Sequence, residues 1–442
     1  MKKLSILLLY AAILSQSTAA QPRQWSLREC CTYAVEHNIS IKQQENQHRQ
    51  RELQLSTAKN SRLPDLSASA SESFSFGRGL TLDNTYTNRS TSSTSFSLGT
   101  SVPLFTGFQI PNQIKLNQLN LEAATADLEK AKNNIQIQVA EAYVQILYDM
   151  ELADVAYRQI AIDSAQVARL DAFVKNGKAS QAELSQQLST LAQARLTATQ
   201  AENNLQLAIL AITQLLELPS PEDFTIVRPS VGTTPIGFPT GISPDIIYQE
   251  ALALKPEVQA EQLRLSAADR SIDIAKAGNY PTLSLSAGLQ TNYYKTNGMP
   301  ADAFTTQMKN NFSQYIGLNL NVPIFNRFQT RNNIRSAQID RENQLLQFEN
   351  VKKTLYKEIQ QVYYNAVAAR SKYQSSEAAA RSSQDAFVLT QAKYENGKAT
   401  ITEFNESKNN YLKAESNLVQ ARYEYLYQTA LIDFYRGKEL NF

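Results

Sequence analysis

The sequence has few of the residues on which enzymes and metal sites depend. Among its 442 residues are two histidines, two cysteines and four methionines. No Ser-His-Asp, paired-cysteine or His-x-x-x-His arrangement can be assembled from them, and no glycine-rich phosphate loop follows a predicted strand. We therefore predict no enzyme, no cofactor and no metal site. The shortage of Met, Cys and His also argues against soft metal ions as a dedicated cargo.

The chain also lacks an excess of one charge and a disulfide framework. It has 43 basic and 41 acidic residues, interspersed, for a net charge of +2. No basic face is therefore available for nucleic acid. The two cysteines, Cys30 and Cys31, are adjacent, and neighbouring cysteines rarely reach disulfide geometry. We interpret both as small packing residues on the first helix.

Long apolar runs are confined to the N-terminus. Lys2 and Lys3 precede an apolar stretch that ends in small residues, which is typical of a secretory signal peptide over residues 1–20. No later run of 18 apolar residues occurs, so we expect no transmembrane helix. Because no cysteine stands at the predicted cleavage point before Gln21, we expect no lipid anchor.

An internal repeat of about 220 residues fills most of the chain. The sequence NGKAS at residues 176–180 recurs as NGKAT at 396–400, and VPLF at 102–105 recurs as VPIF at 322–325. Each copy predicts the same order: short helix, helix, two strands, very long helix, tight turn and helix. The first repeat spans residues 21–217, a Pro/Gly linker spans 218–242, and the second repeat spans 243–442.

Two segments of each repeat alternate between apolar and polar residues, which predicts strands. In residues 65–77, serines occupy one face while leucine, alanine and phenylalanine occupy the other. The predicted hairpins lie at about 65–104 and 282–323, with polar loops near 78–92 and 294–311.

The apolar strand faces allow two interpretations, a soluble sandwich or a transmembrane barrel. Tilted spanning strands need about 9–11 residues, and the opposite face is nearly free of charge, so strand length and polarity favour the barrel. Four strands are too few to close into a barrel, and the unpaired backbone groups of open sheet edges are not tolerated in lipid. The chain must then oligomerise: two copies would give eight strands and three would give twelve, and a channel favours more than eight.

The helices are expected to form long parallel columns. The long helices are predicted at about 110–174 and 328–394, and the helices after each tight turn at about 179–217 and 400–436. At about 1.5 Å per residue, each long helix would extend nearly 100 Å. Apolar residues recur every seven positions, which indicates coiled-coil packing, although an ordinary bundle core explains the stripes equally well.

The turns between these columns are specified locally. Asn-Gly supplies a left-handed stop at Gly177 and Gly397. Ser180 with Glu183, and Thr400 with Glu403, form capping boxes for the next helix. The tips are therefore exposed helix hairpins at which a partner could dock.

The order of these motifs resembles the TolC-like outer-membrane efflux proteins. The resemblance rests on the duplicated plan, on the Val-Pro-Leu/Ile-Phe segments, and on the tip pattern Tyr394-x-x-Gly397-x-x-Thr400-x-x-Glu403. It implies an internally duplicated α+β membrane protein whose homotrimer builds a twelve-stranded barrel in outer-membrane lipid and a helical tunnel in the periplasm. Such a protein is an exit duct for a tripartite efflux pump or type I secretion system.

The resemblance also implies partners and sites. A periplasmic adaptor (membrane fusion protein) and an inner-membrane transporter would meet the helix tips. The predicted docking residues are Asn176, Gly177, Lys178, Ser180, Tyr394, Asn396, Gly397, Lys398 and Thr400. Polar residues near the second tip would narrow the entrance, and the candidates are Arg381, Gln384, Asp385 and Gln391. The alternative function is a secreted or periplasmic coiled-coil scaffold with a soluble sandwich.

Overall fold

Residues 24–80, 84–228 and 241–440 are described by the computed structural model. The predicted signal peptide and residues 229–240 of the predicted linker lie outside the described residues. The helices are α1 (Leu27–His37), α2 (Ile39–Asn60), α3 (Gln109–Lys175), α4 (Gln181–Leu215), α5 (Pro244–Leu254), α6 (Pro256–Ala277), α7 (Phe304–Asn310), α8 (Gln329–Glu395) and α9 (Ile401–Tyr435). The strands are β1 (Gln24–Trp25), β2 (Ser67–Leu80), β3 (Tyr86–Thr106), β4 (Thr225–Ile226), β5 (Thr282–Thr296) and β6 (Ser313–Asn321).

The duplication is visible in the helix lengths. Helices α3 and α8 have 67 residues each, and α4 and α9 have 35 each. The seven-residue stripe on α4 faces inward, since Leu184, Leu191 and Ala198 are buried, as is Phe404 at the equivalent place on α9. A periodic apolar stripe without glycine explains both the length of these helices and the face that they bury.

The turn from strand to long helix repeats in the two halves. Gly107 and Phe108 have φ of 61° and 66°, and Arg327 and Phe328 have φ of 54° and 63°. At Gly107 a Cβ would lie 2.8 Å from the carbonyl oxygen of Ala277. The close approach requires glycine at 107, and the left-handed backbone favours it, whereas Arg327 adopts the same backbone at the equivalent place.

The four long strands form one antiparallel sheet in the order β2-β3-β5-β6. The two predicted hairpins are joined because β3 pairs with β5 along residues 91–106. Strands β2 and β6 lie at the edges, and neither has a second partner strand within the described residues. The result is an open sheet, which agrees with the prediction that four strands of one chain do not close.

The predicted polar loop at 78–92 is wrong. Strand β2 continues to Leu80 and β3 begins at Tyr86, with Arg78 opposite Asn88 and Gly79 opposite Thr87. Backbone hydrogen bonds continue the ladder where the side chains stop alternating. The apolar alternation therefore marked only part of the hairpin.

The second loop contains helix α7, which the sequence pattern did not predict. Gln307 of this helix accepts from the backbone N–H of Tyr294 at 3.0 Å and donates to its carbonyl at 3.1 Å. Asn311 donates to the carbonyl of Asn292 at 2.6 Å. The pairing of β5 with β6 stops at Gln290, opposite Ser313. Past that point, these amide side chains bind the backbone groups of β5 in place of a neighbouring strand.

By contacts the chain divides into two units, each with residues from both repeats. The described residues of the first are 24–45, 128–228, 241–256 and 352–440. Its core includes Trp25, the fully buried Cys30 and Tyr143, whose hydroxyl donates to the carbonyl of Val227 at 2.6 Å. Cys30 and Cys31 are free thiols, and burial raises the pKa of the Cys31 thiol to about 12.

The described residues of the second unit are 46–80, 84–127 and 257–351, and they contain the four-stranded sheet. Charged pairs connect its helices: Arg264 binds Asp127, and the Nε of Arg341 lies 2.9 Å from Asp269. None of the helices in the described part of the chain combines the length and apolar character that crossing a bilayer requires.

Candidate functional site

The two helix tips have the same geometry. In the first, the N–H of Lys178 donates to the carbonyl of Phe173 at 2.8 Å and that of Gly177 to Val174 at 3.0 Å. The second repeats this at Lys398 and Gly397 with the same two distances. These are the two bonds of a Schellman motif, and they require the left-handed φ of 68° at Gly177 and 67° at Gly397.

Both tips close with the predicted capping boxes. The hydroxyl of Ser180 accepts from the N–H of Glu183 at 3.2 Å, and the Glu183 carboxylate accepts from the N–H of Ser180 at 2.8 Å. Thr400 and Glu403 repeat the arrangement at 3.2 and 2.7 Å. The capping prediction is therefore confirmed at both turns.

Eight of the nine predicted docking residues lie exposed on these turns, and Tyr394 is the exception. Its ring centroid lies 5.0 Å from that of Phe404 and 5.2 Å from the guanidinium of Arg169. Arg169 also donates to the carbonyl of Glu395 at 3.1 Å. Tyr394 therefore helps to hold the end of α8 against α3 and α9, and presents little of its ring to a partner.

Three of the four predicted entrance residues, Arg381, Gln384 and Asp385, are exposed within about one turn of α8, and Gln391 is half-buried nearer the tip. Arg381 lies 3.6 Å from Glu377, and Gln391 donates to Glu395 at 3.0 Å, each one turn away on the same helix. Asp385 is exposed and lies two residues, about 200° of helix rotation, from Phe387, which is buried against α9. Asp385 is thus directed away from the core of its own hairpin.

A buried polar network links the two helix hairpins and was missed by sequence reasoning. Lys408 of α9 donates to Asp163 of α3, and both side chains are 0% exposed. Gln187 of α4 donates to Asp163 at 3.2 Å and accepts from Asn405 at 3.1 Å. The sequence signal was a lysine one helical turn after Phe404, beside the apolar stripe to which Phe404 belongs.

The sheet has one apolar and one hydroxyl-rich face. On the hydroxyl face, the side chains of Ser69 and Ser97 lie 2.7 Å apart, as do those of Ser71 and Ser95. The apolar face also contains Glu72, which the alternation pattern had passed over and which accepts from Ser92 at 3.0 Å. Large exposed side chains on that face include Leu66, Phe74, Phe76, Phe96, Leu98, Leu289, Ile316, Leu318 and Leu320.

No other candidate for chemistry stands out in the described residues. They contain no group of three or more His, Cys, Asp or Glu side chains placed to hold a metal ion. The distinctive surfaces are therefore the two tips, the apolar sheet face and the open strand edges.

Comparison with known sequences decides the family. The profile of the family described as Outer membrane efflux protein matches residues 32–217 and 247–436. The chain belongs to this family. The two matched segments correspond to the two repeats, and membership confirms the resemblance and the predicted location in the outer membrane.

Individual relatives are distant. OprJ of Pseudomonas aeruginosa is 23% identical over 97% of this chain and 88% of its own length. CyaE of Bordetella pertussis is 26% identical over 58% of this chain, and the pyoverdine export protein OpmQ of Pseudomonas aeruginosa is 25% identical over 69%. The chain spans only 53% and 61% of the lengths of these last two relatives.

Solved structures show the fold. CusC, a transmembrane channel, superposes with a TM-score of 0.77 at 17% identity, covering 96% of both chains. The outer-membrane channel CmeC of Campylobacter jejuni gives 0.76 at 19% identity, covering 94% of this chain and 87% of that one. The predicted α+β class, with long helices and four strands per chain, is confirmed.

The second capping box predicts a dependence on pH. Hydrogen bonds from the backbone N–H and hydroxyl of Thr400 lower the pKa of the Glu403 carboxyl. The stability that ionised Glu403 adds to the folded protein is therefore complete above the unfolded carboxyl pKa of about 4.3. That stability is lost as pH falls through the lower folded pKa. We expect Glu403→Gln to lower the thermal midpoint at pH 7. The difference from the parent protein should vanish at a pH below both pKa values, and a difference independent of pH would contradict this assignment.

Proposed function

We propose that the protein is a passive exit duct of a tripartite efflux pump or type I secretion system. Three copies would each contribute four strands to a shared twelve-stranded barrel in outer-membrane lipid, with their helices extending into the periplasm. The open sheet supports this most directly, because it combines unpaired edges with an exposed apolar face. Lipid tolerates the apolar face but not the open edges, so neighbouring copies must pair with them.

The exposed tips support contacts with a periplasmic adaptor and, through it or beside it, an inner-membrane transporter. Each copy presents two hairpin turns of matching geometry, so a homotrimer would present six similar places to one kind of adaptor. Transport energy and the choice of cargo would come from the transporter, since the chain has no predicted catalytic residues.

The decisive experiment measures the protein mass of the species extracted in detergent from outer membranes. A mass of three chains, followed by conductance in planar bilayers, is the expected result. A species that is soluble without detergent would overturn the duct and leave the scaffold. A membrane-bound dimer would overturn the twelve-stranded barrel.

Asp385 is the residue that we propose at the entrance. Its exposed carboxylate points away from the hairpin core, so three copies could place three negative charges around the opening. We expect Asp385→Ala to reduce the preference for cations over anions and to change single-channel conductance. Glu424, paired with Lys372 at 2.7 Å on the same hairpin, provides a control: Glu424→Gln should leave ion preference unchanged. An unaltered Asp385→Ala channel would remove this assignment.

The tip glycines allow docking to be separated from folding. A Cβ at Gly177 or Gly397 would meet no atom within 4 Å, but both residues have positive φ. Asparagine tolerates this backbone whereas valine does not. If an adaptor approaches the tips closely, both Gly→Asn and Gly→Val should weaken adaptor binding while the trimer persists. If only the Val variants do so, the glycines serve the turn and not the contact.

A further inference from the structure

The apolar face of the sheet continues past the end of β6 toward helix α8. Val322 and Ile324 keep the two-residue spacing of Leu320, and Ile324 is 95% exposed. In the turn that follows, the rings of Phe325 and Phe328 meet edge to face at 5.5 Å, and both are exposed. We call Ile324, Phe325 and Phe328 the apolar border. Aromatic residues edge the apolar band of membrane barrels at both interfaces, so this border marks where the sheet leaves lipid.

Three arginines follow the apolar border at intervals of four residues. They are Arg327, Arg331 and Arg335, the arginine row, and all three are exposed. The guanidinium of Arg331 lies 5.9 Å from the ring of Phe328, so its charge adjoins the border. An interval of four places Arg335 one turn further along the same face of α8. The row therefore begins where the apolar border ends.

Within the described residues, no carboxylate forms an ion pair with the arginine row. The chain has no Asp or Glu between residues 303 and 339. Two carboxylates of the neighbouring helix α6 have other cations: Asp273 lies 3.1 Å from Lys276, and Asp269 lies 2.9 Å from Arg341. Arginine in the first two turns of a helix also opposes the helix dipole. The stability of α8 therefore does not account for the row.

The first repeat has an equivalent border without the row. Phe105 and Phe108 repeat the edge-to-face pair at 5.3 Å, 220 residues before their counterparts. A single arginine, Arg62, lines the groove beside them. The places of the row hold Gly107, Pro111 and Lys115. The turn from strand to long helix therefore does not require three arginines, and the row belongs to the second repeat alone.

We propose that the arginine row binds the phosphate of an anionic phospholipid in the periplasmic leaflet, with the acyl chains against the apolar border and the apolar sheet face. Guanidinium groups pair with phosphate in a bidentate manner and keep their charge. Basic clusters beside a membrane attract anionic lipids. The leaflet is the periplasmic one because the long helices leave the sheet on this side. This inference rests on the lipid-facing barrel of the proposed function and adds the lipid that it selects, at three equivalent sites in a homotrimer.

Lipid competition measured by native mass spectrometry tests the site. The detergent-extracted trimer is offered equal amounts of phosphatidylglycerol and phosphatidylcholine with identical acyl chains, so that only the headgroup differs. The parent protein should retain severalfold more phosphatidylglycerol. Arg331→Gln combined with Arg335→Gln should lower this ratio severalfold. Arg331→Lys combined with Arg335→Lys should keep most of the preference, because both charges remain.

A matched variant removes the same charge from the first repeat. Lys59 and Lys115 are exposed, and Lys59→Gln combined with Lys115→Gln should leave the lipid ratio at the parent value. An equal fall in both double variants would mean that charge in general attracts the lipid, and would overturn the site.

Two further results would overturn the site and leave the duct in place. One is a parent trimer that retains both lipids equally. The other is loss of the trimer in the Arg331→Gln and Arg335→Gln variant before any lipid is added, since the arginines would then contact a neighbouring copy. Absence of a trimer in the parent protein would overturn the duct itself.

Discussion

Replacing Lys408 with methionine should destabilise the first unit more than any surface change on the same helices. The substitution keeps the apolar part of the side chain but leaves the Asp163 carboxylate buried without its cation. Removing one partner of a buried pair costs about 3–5 kcal/mol, because the remaining charge has lost both water and counter-charge. Denaturant unfolding of the detergent-purified protein, followed by its helical circular dichroism, measures this loss.

Two control variants isolate the cause. The double variant Asp163→Leu with Lys408→Met removes both charges and should recover most of the lost stability, since apolar replacement of a whole buried pair is often neutral. Arg158→Met breaks the neighbouring ion pair, whose arginine is 56% exposed, and should cost only about 1 kcal/mol or less. If Lys408→Met unfolds like the parent protein, water reaches Asp163 and the pair is not a buried one.

The sequence predicted best those features that are specified within a few residues. The left-handed stops at Gly177 and Gly397 and both capping boxes require only a turn of chain, and all were read correctly. The buried stripe of α4 also follows from local periodicity. Each depends on side chains and backbone groups that are neighbours in sequence, so a single sequence contains the necessary information.

Features that depend on distant partners were not predicted. The pairing of β3 with β5 joins residues almost 200 positions apart, and alternation on either strand says nothing about which strand lies beside it. Asp163 and Lys408 are unremarkable charges in their own helices, and only the fold makes them a pair. Asp385 was chosen by its nearness to the tip, and its outward direction became visible only relative to Phe387.

Adjacent residues on β6 should respond in opposite ways to the same substitution. Leu318 lies on the apolar face of the sheet beside Leu285, while Asn319 lies on the opposite face beside Ser284. If lipid covers the apolar face, arginine at 318 costs up to about 2–4 kcal/mol in each copy. We expect Leu318→Arg to reduce severalfold the amount of protein assembled in the outer membrane, measured in detergent extracts of membrane fractions.

Asn319→Arg is the matched control, because it adds the same side chain one position along the same strand. If its face lines water, the guanidinium stays hydrated and the protein should assemble at the parent level. In a soluble sandwich, protein instead of lipid would cover position 318, while position 319 would still face water. Leu318→Arg would then bury a charge between two sheets and lower the yield of a water-soluble species. Measuring both variants in the soluble and membrane fractions therefore separates a lipid-facing sheet from a protein-covered one, since only the lipid-facing sheet confines the loss to the membrane fraction.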